Sequence, residues 1–148
     1  MRQLLILFLA LTTLFSCKQD AKAVQPTEIE SSKETPSSVA SVKLNDGKKW
    51  QANLETTEGI KKMQLIINSF SEKESISEYK LLKEKLEVEF TNIFTLCTMK
   101  GESHNQLHNY LKPIIPFFDG LGSDELVTCK TNLNNLEIHL KEYSNFFE

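Results

Sequence analysis

SISEYKLLKEKLEVEFTNIFTLCTMK, residues 75–100, decides the fold class. Tyr79, Leu82, Leu86, Phe90, Ile93 and Cys97 recur in it at spacings of three and four, with Lys and Glu filling most positions between. This is the period of an α-helix with one apolar stripe, not the alternation by two that a half-buried strand needs. The spacing predicts a helix over about Ser75–Lys100. Gly101 stands where a left-handed residue would cap its end.

The same period extends to both sides. Ile60, Met63, Ile67 and Phe70 predict a first helix over about Glu58–Phe70. Ser103 with Gln106 matches a capping box and opens a third helix carrying Leu107, Leu111, Ile115 and Phe118. Pro113 should kink that helix and Pro116 weaken its end. Asp119-Gly120-Leu121-Gly122 reads as a loop. Ser123 then caps a fourth helix, with Asp124 and Glu125 in its first turn. Leu126, Cys129, Leu133, Leu136, Leu140, Tyr143 and Phe147 form its stripe. Four amphipathic helices on short loops predict an all-α domain over residues 41–148, an up-down-up-down four-helix bundle. Ahead of them, Asn45-Asp46-Gly47-Lys48 is a turn signal between Val42-Lys43-Leu44 and Lys49-Trp50. It predicts a short β-hairpin or an extended arm held by Trp50.

Residues 17–40 have a different composition. Ser, Thr, Pro, Glu, Lys and Ala dominate, as in Ser31-Ser32-Lys33-Glu34-Thr35-Pro36. Such a stretch buries too little apolar surface to offset its ordering entropy and reads as a disordered tether. Before it, Met1-Arg2, an apolar run over Leu4–Leu14 and Leu14-Phe15-Ser16-Cys17 have the layout of a signal peptide over residues 1–16. The run is shorter than the ~20 residues of a membrane-spanning helix. Leu-x-Ser-Cys resembles the lipobox of bacterial lipoproteins, which implies that Cys17 is acylated and becomes the mature N-terminus. Several acyl chains on one residue give stable anchoring. Lys18, rather than an aspartate, after the cysteine favours the outer membrane by the same resemblance.

The formal charge of −3 becomes −4 once Arg2 leaves with the signal peptide. No basic stripe stands out, so nucleic acid is not expected as a partner. Cys97 and Cys129 remain in a compartment where disulfides persist. In antiparallel helices they fall near opposite ends, offset by more than ~10 Å, and a bridge needs Cα atoms within about 7 Å. No Cys97–Cys129 disulfide is therefore expected unless Pro113 shortens the third helix.

The segment with chemistry in it is Cys97-Thr98-Met99-Lys100-Gly101-Glu102-Ser103-His104-Asn105-Gln106-Leu107-His108. His104 and His108 are one turn apart on one helix face. At about 100° per residue they share about 60° of arc with Leu111 and Ile115, which places them on the core-facing stripe. A tight turn at Gly101 would bring Cys97 to the same point, with Met99 able to swing in. Buried imidazoles need partners, and a metal ion would satisfy all of them. A thiol, two imidazoles and a thioether match the ligand types of a copper site; Cys-His₂ would also take zinc. The expected ligands are Cys97, His104, His108 and Met99, with Glu102 and Asn105 supporting them. His139 is a further candidate, read mainly as a solvated surface residue. A b-type haem held by Met63 or Met99 and a histidine is the weaker cofactor reading, and no C-x-x-C-H points to covalent haem. Catalysis would need an open pocket beside Cys97, and no orienting residue or oxyanion site is evident. The alternative to a metal site is a structural Cys/His cluster in a protein-interaction module that docks another envelope protein.

Two motifs carry a family resemblance. Asn45-Asp46-Gly47-Lys48-Lys49-Trp50 fits N-x-G-x-x-W, and Cys97–His108 fits C-T-M-x-G-x-x-H-x-x-L-H. With the ending Tyr143-Ser144-Asn145-Phe146-Phe147-Glu148, residues 42–148 resemble uncharacterised small bacterial lipoproteins or secreted helical proteins. The resemblance implies a helical fold and assigns no activity.

Overall fold

The computed structural model describes residues 41–148. The signal peptide, acylated Cys17 and tether expected over residues 1–40 lie outside the described residues. The described part is mostly helical, with four principal helical segments and no strand. In chain order it contains α1 (Leu54–Asn68), α2 (Ile76–Leu96), α3 (Gly101–Leu111), a 3₁₀ turn (Lys112–Ile114), α4 (Ile115–Leu121), α5 (Leu126–Lys141) and the short α6 (Tyr143–Phe146). None of the described helices is long and apolar enough to cross a membrane.

α1 packs along α2, α4 along α5, and α1 and α2 also meet α5. The predicted stripes supply the core: Ile60, Met63 and Ile67 from α1, Tyr79, Leu82, Leu86, Phe90 and Ile93 from α2, and Cys129, Leu133, Leu136 and Leu140 from α5 are buried. Two glycines set the closest helix approaches. A β-carbon on Gly59 would overlap the branched side chain of Ile93, so α1 and α2 meet there only because Gly59 has none. Gly120 lies in the same way against the carboxamide of Asn132 on α5.

Several boundaries differ from the predicted ones. α1 begins four residues earlier than expected, at Leu54, behind Asn53. The Asn53 amide donates to the Leu96 carbonyl at 3.1 Å, so one side chain joins the start of α1 to the end of α2. α2 does begin behind Ser75, which accepts from the Glu78 N–H at 3.4 Å. It ends at Leu96 rather than Lys100, and Cys97–Lys100 form a non-helical connector. The Thr91 and Thr95 hydroxyls bond back to carbonyls four residues earlier in this last stretch, a habit that weakens helices. Gly101 has φ +65°, but it opens α3 instead of closing α2. The capping box does not form. The Ser103 hydroxyl donates to the Lys100 carbonyl at 3.1 Å, and Gln106 is used elsewhere.

Pro113 interrupts the third predicted helix, as expected, by turning residues 112–114 into a 3₁₀ turn. Pro116 does not weaken a helix end; it sits in the first turn of α4, where its missing N–H costs nothing. The tighter 3₁₀ winding shifts the register. Ile114 is fully buried, while Ile115, placed on the stripe by the sequence, is 49% exposed. Asp119, Gly120 and Leu121, expected as loop, belong to α4. Ser123 acts one step early: its hydroxyl accepts from the Glu125 N–H at 3.1 Å, and α5 starts at Leu126.

The N-terminal arm combines the two expected forms. Asn45 and Lys48 exchange backbone hydrogen bonds of 2.9 Å around Asp46 (φ 49°) and Gly47 (φ 82°), a tight turn of the hairpin type. That is its only internal bridge. Beyond it the arm runs alongside the C-terminal residues. The Trp50 N–H donates to the Phe146 carbonyl at 2.8 Å, Glu148 N–H to the Trp50 carbonyl at 3.0 Å, and Ala52 N–H to the Glu148 carbonyl at 2.9 Å. The half-buried Trp50 donates its indole N–H to the Lys43 carbonyl at 2.5 Å.

Candidate functional site

α3 positions the two histidines of the C-x₆-H-x₃-H stretch. Leu107, Tyr110 and Leu111 are its buried face, joined by Gln106. The carboxamide of Gln106 accepts from the Lys43 N–H at 2.7 Å and donates to Glu102 at 2.7 Å, so α3 is tied to the arm. The histidines therefore do not face the core as the sequence predicted. They lie half-buried at the edge of the apolar face, because the face is centred on Leu107, Tyr110 and Leu111.

His104 and His108 do come together. Their Nε2 atoms are 3.2 Å apart, and the rings meet edge to face with centroids 4.5 Å apart. At that separation one Nε2 holds the proton and the other presents a lone pair. Phe94 of α2 packs on His108, with ring centroids 5.5 Å apart. Burial pushes the His108 imidazole below the usual histidine range, and the nearby His104 and Lys112 charges act in the same direction. A histidine held neutral at neutral pH keeps a lone pair available for a ligand.

The other expected ligands sit on the connector. Cys97 is half-buried and is a free thiol, as is the buried Cys129. Cys97 lies towards Tyr143, whose hydroxyl is pushed up by burial and, to a smaller extent, by the Cys97 charge; a 3.0 Å hydrogen bond with Thr57 opposes this. Met99 is half-buried against the core. Among the described residues, no three His, Cys, Asp or Glu side chains gather into a metal-holding group. The structure thus brings together His104 and His108 and does not bring Cys97 into a three-ligand cluster with them. Glu102 is occupied by Gln106 and by Asn105, which donates to it at 3.1 Å; these bonds hold its carboxyl below the usual range. Comparison with known proteins brings up no matching family model, no matching curated protein and no matching solved structure.

His139 has a definite partner, unlike the solvated residue the sequence predicted. Its Nε2 meets the Tyr110 carbonyl at 2.8 Å, the Tyr110 hydroxyl donates to the His139 carbonyl at 2.9 Å, and the rings stack with centroids 4.6 Å apart. A carbonyl only accepts, so His139 carries its proton on Nε2. The last carbonyls of α3 lack intrahelical partners, Pro113 brings no N–H to that end, and His139 supplies a donor. Phe94 and Gln106 were missed as parts of the site. Phe94 falls off the apolar stripe of α2 and Gln106 reads as half of a capping box, and only the packing of α2 and the arm on α3 gives them a role.

Proposed function

We propose that this chain is a lipid-anchored cell-envelope protein, at the outer membrane, whose helical domain binds a transition-metal ion through His104 and His108. One observation carries the metal reading. Two metal–nitrogen bonds of about 2.0–2.1 Å at an angle of about 103° span the 3.2 Å that separates the two Nε2 atoms. The pair has the nitrogen spacing of a chelate, and an ion would replace the proton the rings share once each ring turns its lone pair from that bond towards the ion.

Imidazole suits copper and zinc alike. A preference for copper rests on Cys97 and Met99, which lie on the non-helical connector Cys97–Lys100 and would join the ion if that connector swung towards α3. The anchor rests on the lipobox at Cys17. The packing of α1 on α2, α4 on α5 and α1 on α5 supports an up-down-up-down bundle as the scaffold.

Elemental analysis of the chain after equilibration with copper and zinc tests the reading. A tightly held ion, lost in His104→Ala and His108→Ala, is expected; no ion above background in folded protein would overturn it. Loss of copper but not zinc in Cys97→Ala would establish the connector as a source of ligands. A second reading, a metal-independent interaction module, is favoured by Leu54, Phe94 and Leu96, which are exposed around the start of α1 and the end of α2. It predicts partner binding that a chelator leaves unchanged.

A further inference from the structure

Lys73 and Glu74 from the loop before α2, Tyr79 near the start of α2, and Lys130, Leu133 and Glu137 from one face of α5 line an open cleft of about 330 Å³. That is within the size range of small-molecule pockets. Tyr79 is fully buried, and among the described residues its hydroxyl has no hydrogen-bond partner. Buried hydroxyls nearly always have one, because an unmade bond leaves the lost hydration uncompensated. Phe70 holds the Tyr79 ring edge to face, with centroids 4.9 Å apart. Burial pushes the hydroxyl above the usual tyrosine range, so it stays protonated and is a donor without an acceptor; Lys130 acts on it from nearby against burial, and Cys129 and Glu74 with it. Lys130 and Glu74 are walls of the cleft, so the hydroxyl end of the ring is the end towards it. Lys130 pairs with Glu74 at 2.5 Å and Glu137 with Lys141 at 2.7 Å, whereas Lys73 has no carboxylate partner among the described residues. The cleft thus holds an orphan donor and an unmatched cation beside the apolar Leu133.

We propose that this cleft binds a small organic carboxylate, one oxygen accepting from the Tyr79 hydroxyl, the other lying on the Lys73 ammonium, and a short carbon chain resting on Leu133. The hydroxyl is closed off from solvent, so the ligand reaches it as Lys130 swings off Glu74. Their side chains are 41% and 81% exposed, and a pair so exposed parts at little cost. The unmatched Lys73 favours an anion over a neutral acceptor. Glu74 and Glu137 stand in the same cleft and oppose a doubly charged anion such as phosphate. Tyr79 and Phe94, which packs on His108, are separated by roughly 22 Å along α2, so the cleft stands apart from the histidine pair and is independent of the metal reading.

The test is a nuclear magnetic resonance titration of the full chain in detergent with sodium acetate, butyrate and benzoate, at constant ionic strength. Butanol, butylamine and inorganic phosphate are titrated in parallel. The expected result is saturable shifts at Lys130, Leu133 and Glu137 with at least one of the carboxylates, and binding at least about tenfold weaker for the three other compounds. Tyr79→Phe should weaken carboxylate binding at least about tenfold and Lys73→Gln about threefold. Tyr79→Phe removes one oxygen and no protein hydrogen bond, so its urea midpoint without ligand should match or exceed the parent's, which separates lost binding from lost folding. A lowered midpoint would show that the hydroxyl already has a partner and would overturn the proposal. Equal binding of phosphate would reduce the cleft to an anion patch, and equal binding of butanol to an apolar one; either overturns it. So would the absence of saturable shifts with all three carboxylates up to about 50 mM.

Discussion

The three histidines of this domain are placed in two ways. His139 meets Tyr110 face to face, and each residue satisfies a backbone carbonyl or hydroxyl of the other. Its hydrogen-bonding nitrogen is occupied, and it ties α5 to the end of α3. The His104 and His108 rings hydrogen-bond to one another, edge to face and half-buried, with Phe94 packed on His108, so one lone pair and one proton are shared between two rings. The first arrangement ties two helices together; the second is a pair whose bond, on the proposed metal reading, an ion would replace. Spacing along the chain does not separate the two, but the partner of each nitrogen does.

The widest separation between them should appear in metal binding. His108→Ala is expected to weaken copper or zinc binding by at least about 100-fold, roughly 2.7 kcal/mol, while His139→Ala leaves it within about twofold. Isothermal titration of the three chains checks this, and equal losses in both would dissolve the distinction. Stability should show the reverse order. His139→Ala removes a stack and leaves the Tyr110 carbonyl short of a donor, and it should cost about 1–3 kcal/mol in urea unfolding. His104→Ala, without metal, should stay within about 0.5 kcal/mol of the parent.

A third consequence is alkaline sensitivity. Burial holds the Tyr110 hydroxyl protonated well above the usual tyrosine range, with the Tyr143 and Glu142 charges adding to the effect. Above about pH 10 the unfolded chain loses this proton while the folded chain keeps it. The unfolded state then binds fewer protons, so stability falls as pH rises, by about 1.4 kcal/mol per pH unit for such a group. Tyr110→Phe should cost about 1 kcal/mol at neutral pH through the lost hydrogen bond, and it should flatten the decline above pH 10. An unchanged slope would show that Tyr110 is not what titrates. The smallest effect is expected at Lys112, whose charge acts on His108. Lys112→Gln should tighten metal binding a few-fold, about 0.5 kcal/mol, and less so at high salt.

Much of the fold was legible because helical period survives local error. The stripes over α1, α2 and α5 predicted the buried residues even where the helix ends were misplaced. The starts of α3 and α5 were misplaced for one cause: capping signals name residues able to bond a free N–H, not the bonds they make. Ser103 and Ser123 both turned to other partners. The site was legible in part. An i,i+4 spacing is local geometry, so the meeting of His104 and His108 followed from sequence. Their burial did not, because a 3₁₀ turn at Pro113 and the arrival of Tyr110 on the inner face reset which side of α3 is inside. The placing of Cys97 depended on α2 continuing to Lys100, and the helix ends four residues short of that.

The arm has a consequence for when the fold can be completed. Gln51 donates to the Glu148 carboxylate across 97 residues of chain, and Trp50 and Ala52 bond the backbone beside it. A chain synthesised N-terminus first presents its arm long before residues 146–148 arrive. The helices, whose contacts are largely local, can assemble in the meantime, whereas the arm must wait and then close a very long loop. Non-local closures of this kind form late and slowly. Until then Trp50 is an uncovered aromatic on a waiting segment, the part of the nascent domain most open to unwanted contacts.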